Sequence, residues 1–211
     1  MIKVMLVDDH GIIRDGLQHI IESEQNMKVV AGAEDGIEAL ELAKKTQPDI
    51  IILDVAMPKM DGFDCARALT ALLPDAKILA LTVHDDIQYA FRMLEAGAHG
   101  FVSKRAVSKE LLTAIRIVLS GRTYICSRIS ARLASRMHAK GGSVDKLSTL
   151  STREFQVLRH LGAGHNLKET AEAMGISEKT VSTYRSRILE KLGYRTSAEV
   201  LRYALELELT R

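Results

Sequence analysis

The sequence predicts a doubly wound α/β domain, a parallel sheet with helices on both faces, joined to a small all-α domain. Three observations predict it. Over residues 2–120, five short β-branched runs alternate with five segments of helical spacing. Beyond them, helix-start signals recur through the last third of the chain. The charge also changes sign: residues 1–122 hold 14 Lys+Arg against 18 Asp+Glu, a net of −4, and residues 123–211 hold 15 against 9, a net of +6. An acidic unit joined to a basic one suggests two domains, the second facing a polyanion. The boundaries expected are 1–122 for the first domain, 123–146 for a linker with a short helix, and 147–211 for the second domain.

The 211 residues are 46% hydrophobic and 27% charged, which fits a globular protein of one or two domains. No apolar run reaches the roughly 18 residues that span a membrane. The opening MIKVMLVDDH turns acidic after seven residues, unlike a signal peptide. Cys65 and Cys126 lack metal-type spacing and suit the reduced cytoplasm, which is the expected location.

In chain order, the strands are expected at 2–7 (IKVMLV), 28–33 (KVVAGA), 50–53 (IIIL), 77–82 (KILALT) and 100–103 (GFVS). Helices are expected at 10–23, 35–45, 61–72, 86–97 and 107–120. Strands alternating with helices in this way build a parallel sheet buried on both faces. In such sheets, functional groups collect at the carboxyl ends of the strands.

Those ends carry chemistry. The first strand runs into Asp8 and Asp9, the third into Asp54, the fourth ends in Thr82, and the fifth runs into Lys104. Three carboxylates on one edge raise each other's pKa unless a cation is present. An all-oxygen set favours Mg²⁺ over zinc. Lys104 and Thr82 are donors suited to phosphate oxygens. Asp54 remains as a nucleophile able to accept a phosphoryl group beside a metal. Any one of these residues has a bland explanation, such as a helix cap or a solvated lysine. The five together do not.

Residues 3–120 resemble a response-regulator receiver domain, through VDDH, LDVAMPKMDG, the LT ending strand 4, and GFVSK. The resemblance implies a flavodoxin-like strand order, 2-1-3-4-5. It implies phosphorylation of Asp54 by a histidine kinase, with Mg²⁺ held by Asp9, Asp54 and the Ala56 carbonyl, and by Asp8 through water. Pro58 and Gly62 would shape the loop that brings this carbonyl to the metal. Phe101 would be the aromatic switch residue, able to swing inward when phosphate draws Thr82 towards it. Three positions depart from the usual pattern. Val83 is bulkier than the small residue expected after Thr82. Arg105 replaces the proline after Lys104, so a trans bond is expected there. Phe101 lacks the hydroxyl of a tyrosine. An aspartyl-phosphate phosphatase is the enzymatic rival. It would need a second Asp where Ala56 stands, so the protein is not expected to be an enzyme beyond its own phosphoryl transfer and dephosphorylation.

In the linker, residues 127–138 read as a short basic helix and AKGGS (139–143) as a flexible run. Then come the caps. Ser151-x-x-Glu154 precedes FQVLRHL, Asn166-x-x-Glu169 opens TAEAM before Gly175, Ser177 caps EKTVSTYRSRILEKL, and Thr196-x-x-Glu199 opens VLRYALEL. The second and third helices are joined by MGIS, a short Gly-containing turn of helix-turn-helix form. In the third helix, Val181, Ile188 and Leu192 form the buried stripe. Its other face, rich in Ser, Thr, Arg and Lys, suits phosphate and base-edge contact.

Residues 148–205 resemble the LuxR-type domain of the NarL/FixJ branch of response regulators, through LSTREFQVLRHLGAGHNLKETAEAMGISEKTVSTYRSRILEKL. That resemblance implies a transcription regulator binding double-stranded DNA. Ser182, Thr183 and Ser186 would face base edges, and Lys179, Thr180, Arg185 and Lys191 phosphates. The fourth helix would carry a homodimer interface through Val200, Leu201, Tyr203 and Ala204.

Overall fold

A computed structural model describes residues 1–57, 59–82, 87–131 and 146–206. The chain separates into two compact units, Met1–Ala134 and Ser135–Arg211.

The first unit is the expected doubly wound sheet. Its elements are β1 (Ile2–Val7), α1 (Gly11–Glu22), β2 (Met27–Ala33), α2 (Gly36–Thr46), β3 (Ile50–Asp54), α3 (Gly62–Leu72), β4 (Lys77–Thr82), α4 (Ile87–Glu95), β5 (Gly100–Ser103), α5 (Val107–Leu119) and β6 (Tyr124–Ile125). All pairings are parallel, in the order β2-β1-β3-β4-β5-β6. Val4–Val7 and all of β3 are buried, so these strands read as continuous apolar runs rather than alternating ones. Leu17 and Ile21 of α1 and Leu111, Ala114, Ile115 and Val118 of α5 cover one face of the sheet.

The sixth strand corrects the expected boundary. Residues 124–125 were assigned to the linker, yet they extend the sheet beyond β5. The Tyr124 and Cys126 amides donate to the His99 and Phe101 carbonyls, occupying what would be an open strand edge. The Tyr124 hydroxyl donates to Glu110 at 2.9 Å. Residues 127–131 are helical, and Cys126 and Ile129 are buried. A two-residue strand has too little pattern to be seen in sequence. The rest of the expected linker helix, the AKGGS run, Pro58 and Val83 lie outside the described residues.

The second unit holds a short 3-10 turn at Lys146–Thr149 and four helices: α6 (Thr152–Gly162), α7 (Leu167–Met174), α8 (Glu178–Leu192) and α9 (Ser197–Glu206). Every expected cap is made. Ser151 with Glu154 and Asn166 with Glu169 form reciprocal capping boxes, and Ser177 accepts from the Thr180 amide. Glu199 accepts from the Thr196 amide, while Thr196 Oγ1 accepts from the Glu199 amide. Such caps contribute about 1 kcal/mol each, a large share for short helices. Gly175 ends α7 with φ 63°, a left-handed turn that favours glycine. Val181, Ile188 and Leu192 are buried among Phe155, Val157 and Leu158 of the domain core.

Candidate functional site

The parallel register brings the predicted strand-end residues together. Asp54 pairs with Leu81, which places Thr82 one residue beyond, and Thr82 pairs with Ser103, just before Lys104. Asp8 and Asp54 are 1% and 2% exposed, and Thr82 is fully buried. Lys104 Nζ lies 2.8 Å from Asp54 Oδ2 and 2.6 Å from Asp8 Oδ2. The Asp54 contact is a directed hydrogen bond. Lys104 thus bridges the two buried carboxylates.

Burial pushes the Asp54 carboxyl up to about 6. Lys104 pulls it down through its hydrogen bond and charge, and Asp8 adds repulsion. Burial also works to lower Lys104, but its two carboxylate partners outweigh this and hold its pKa above the ordinary value. The pocket therefore holds more negative charge than one ammonium balances.

Ligand atoms of Asp8, Asp9, His10 and Asp54 all lie within 4.8 Å of one another. His10 was not anticipated. Its amide donates to Asp8 Oδ1 at 2.9 Å, and its Nδ1 is 2.8 Å from Asp9 Oδ1. The Ala56 amide donates to Asp54 Oδ1 at 3.2 Å, so the loop after β3 turns back over the carboxylate. Gly62 makes that turn possible: a Cβ there would sit 2.6 Å from the Asp54 carbonyl oxygen. The turn after Lys104 contains no cis bond, as expected.

Phe101 is fully buried. It sits on β5, which lies between β4 and β6 in the sheet. Cys65 and Cys126 are buried and not disulfide-bonded; burial raises the Cys65 thiol to about 12, which leaves it unreactive.

In the second unit, α8 presents an open face. At about 100° per residue, Lys179, Ser182, Thr183, Ser186 and Arg187 share one arc opposite the Val181–Ile188–Leu192 stripe. Lys179, Thr183, Ser186 and Arg187 are exposed and Ser182 is half-buried. Thr183 and Ser186 donate their hydroxyls to carbonyls one turn back, leaving oxygen lone pairs outward. Thr180 lies on the shoulder, where its hydroxyl bonds Ser177 at 2.8 Å. Arg185 is half-buried on the other shoulder.

Two expected contacts, one to phosphate and one to a second copy, meet neighbours inside the domain. Lys191, expected at a phosphate, is 38% exposed and has its ammonium 2.6 Å from Glu154 Oε2, a carboxylate only 3% exposed. That lysine ties α8 to α6. Burial would raise Glu154, but Lys191 and the Ser151 amide hold its pKa below the usual value. Val200 and Ala204 were placed at a dimer interface, yet they are 2% and 0% exposed and belong to the domain's own core. Leu201 and the unanticipated Leu205 are the apolar residues facing out, at 37% and 54% exposure. Tyr203 is half-buried, its ring 5.5 Å from that of Tyr194.

A six-stranded sheet of this order with an acidic pocket at its carboxyl edge, followed by a helix-turn-helix domain, defines a response regulator with a DNA-binding output. The chain belongs to that family, in its NarL/FixJ branch. Residues 4–116 match the response regulator receiver domain, and residues 148–204 match the bacterial regulatory proteins of the luxR family. Oxygen regulatory protein NreC of Staphylococcus epidermidis is 34% identical over 98% of both chains. The NreC protein of Staphylococcus aureus is also 34% identical, again over 98% of each. Among solved structures, a LuxR-family two-component response regulator from Aurantimonas is 36% identical with a TM-score of 0.62, covering 64% of this chain and 96% of its own. RcsB of Salmonella enterica serovar Typhimurium, bound to promoter rprA with phosphomimetic BeF3−, is 26% identical with a TM-score of 0.72, over 96% of this chain and 98% of its own. Among the described residues no helix is long and apolar enough to cross a membrane.

Proposed function

We propose that Asp54 accepts a phosphoryl group from a histidine kinase in the cytoplasm, and that this controls binding of a homodimer to inverted half-sites on DNA. One observation carries the first part: a buried carboxylate at a strand end, raised to about 6 and touching Lys104 at 2.8 Å. At neutral pH it is still mostly ionised, about ten to one. One carboxylate oxygen attacks phosphorus, the bond from phosphorus to the kinase imidazole breaks, and the imidazole keeps that electron pair. Lys104 and Thr82 are placed to donate to the phosphoryl oxygens.

The residues fit Mg²⁺. The cluster is mainly hard oxygen donors, with Asp8, Asp9 and Asp54 offering carboxylate oxygens within 4.8 Å of one another. Asp9, Asp54 and the Ala56 carbonyl would hold the ion directly and Asp8 through water. A bound Mg²⁺ would neutralise charge on the transferring group. His10 would have to turn away from Asp9 to admit it. The chain catalyses its own phosphoryl transfer and dephosphorylation in this reading, and no other reaction.

For DNA, α8 enters the major groove with Ser182, Thr183 and Ser186 toward base edges. Lys179 and Arg187 face phosphates, with Thr180 and Arg185 at the flanks. Leu201 and Leu205 of α9 are the apolar residues available to a second copy. Incubation with labelled acetyl phosphate and Mg²⁺ tests the phosphoacceptor. Wild type should become labelled, and Asp54→Ala or chelation should abolish it. Label retained on the Ala variant overturns the assignment.

A further inference from the structure

The two loops that would hold Mg²⁺ are both tied to one short segment at the start of α2. Arg14 donates through Nη1 to the Asp8 carbonyl at 2.5 Å and through Nη2 to Glu34 at 2.9 Å. It is mostly buried, at 18% exposure. On the other side, Lys59 of the β3–α3 loop donates to Asp35 Oδ2 at 2.5 Å. Asp35 Oδ1 meanwhile accepts from the Ile37 and Glu38 amides and caps α2. The next loop residue, Met60, lies directly over Gly36, where a Cβ would meet its side chain at 2.9 Å. Neighbouring residues of the segment thus grip both metal-bearing loops.

Lys59 also has φ 64°. A lysine keeps left-handed backbone only where its surroundings hold it there. Being 66% exposed, its ion pair with Asp35 contributes little as a surface salt bridge. Its effect is geometric: it fixes a loop whose other end carries the Ala56 carbonyl. The Lys59 hydrogen bond lowers the Asp35 pKa, and Asp35 raises that of Lys59, so both are charged at neutral pH.

We infer that Glu34 and Asp35 are positioning residues that brace the two metal-bearing loops through Arg14 and Lys59 and thereby set the Mg²⁺ affinity of the acidic pocket. The inference rests on the Mg²⁺ reading above. It predicts a split between affinity and rate. Removing a brace lets the loop wander, so the ion binds more weakly. Once Mg²⁺ saturates, the pocket is the same.

Isothermal titration of the full-length protein with Mg²⁺ is the test, alongside acetyl phosphate labelling across a range of Mg²⁺. Asp35→Asn keeps the capping oxygen and removes the charge. Lys59→Gln alters an exposed side chain and should fold. An exposed ion pair can shift affinity by no more than it contributes, so about two- to fivefold weaker Mg²⁺ binding is expected for both variants. The half-saturating Mg²⁺ for labelling should rise equally, the saturated rate should stay within about twofold, and Lys59→Arg should rescue. Glu34→Gln should show a smaller effect, because Arg14 keeps its bond to the Asp8 carbonyl. Unchanged Mg²⁺ affinity in Lys59→Gln and Asp35→Asn, beside a wild type that binds and an Asp54→Ala that does not, overturns the brace alone. A wild type that binds no Mg²⁺ overturns the metal reading and the brace with it.

Discussion

The acidic pocket of the receiver and the open face of α8 are built on opposite physical plans. The pocket concentrates its chemistry in a few buried groups: Asp8, Asp54 and Thr82 are almost fully enclosed, and Lys104 bridges the two carboxylates. The α8 face spreads its function over several exposed side chains on one helix. Buried charges interact strongly and are costly to leave unpaired, whereas exposed charges are screened and nearly additive. Single changes should therefore act as switches in the receiver and as gradations in the effector.

The sharpest break in that comparison would be a tolerant pocket. Asp54→Ala should remove acetyl phosphate labelling completely, whereas no single substitution on the exposed α8 arc should abolish DNA binding. Filter binding for both properties on the same preparations checks this.

Next in size is stability. Asp54 is raised from 3.8 to about 6 in the fold. Its contribution is fully present below the unfolded value and lost as pH rises through 6, so at pH 7 without Mg²⁺ the charge opposes folding. Asp54→Asn should then stabilise the receiver by about 2–3 kcal/mol at pH 7, with the gain shrinking toward pH 4. Urea denaturation at several pH values measures it.

Glu154 behaves in the opposite sense. Its pKa is lowered, so its contribution is present above the unfolded value of 4.5 and fades as pH falls through the folded value. Glu154→Gln or Lys191→Ala should destabilise the effector domain by about 1.5–3 kcal/mol. Lys191→Ala should leave the salt dependence of DNA affinity unchanged. A shallower slope for a fully folded Lys191→Ala would restore that lysine to the DNA contacts.

The smallest effects belong to the open face. Lys179→Ala should weaken binding to all sequences and reduce the salt slope by about one. Thr183→Ala should relax base preference by about 1 kcal/mol or slightly more and spare nonspecific binding. Fluorescence anisotropy across salt concentrations and site variants separates the two. An unaltered preferred site in Thr183→Ala would mean that α8 does not read bases at that position.

Much of this architecture is written locally. Asp8, Asp54, Thr82 and Lys104 could be grouped from sequence because parallel strands deliver all their carboxyl ends to one edge, whatever their order. The caps at Ser151, Asn166, Ser177 and Thr196 were legible for a related reason: a cap is a bond between residues a turn apart. The Val181–Ile188–Leu192 stripe follows from helical periodicity alone.

What only the tertiary structure decided involves partners distant in sequence. Lys191 reads as a free cation until α6 brings Glu154 to it, and Lys59 reads as a loop lysine until α2 brings Asp35. Nothing in the local pattern encodes either pairing. Val200, Leu201, Ala204 and Leu205 make both flanks of α9 apolar, so periodicity cannot say which flank is the core. Packing against α6 turned Val200 and Ala204 inward and left Leu201 and Leu205 outside. The two-residue strand β6 exists because β5 offers an unpaired edge beside it. Short-range bonding rules act within a few residues and can be read along the chain; burial and charge pairing depend on what the fold places alongside, and that is known only once the chain has closed on itself.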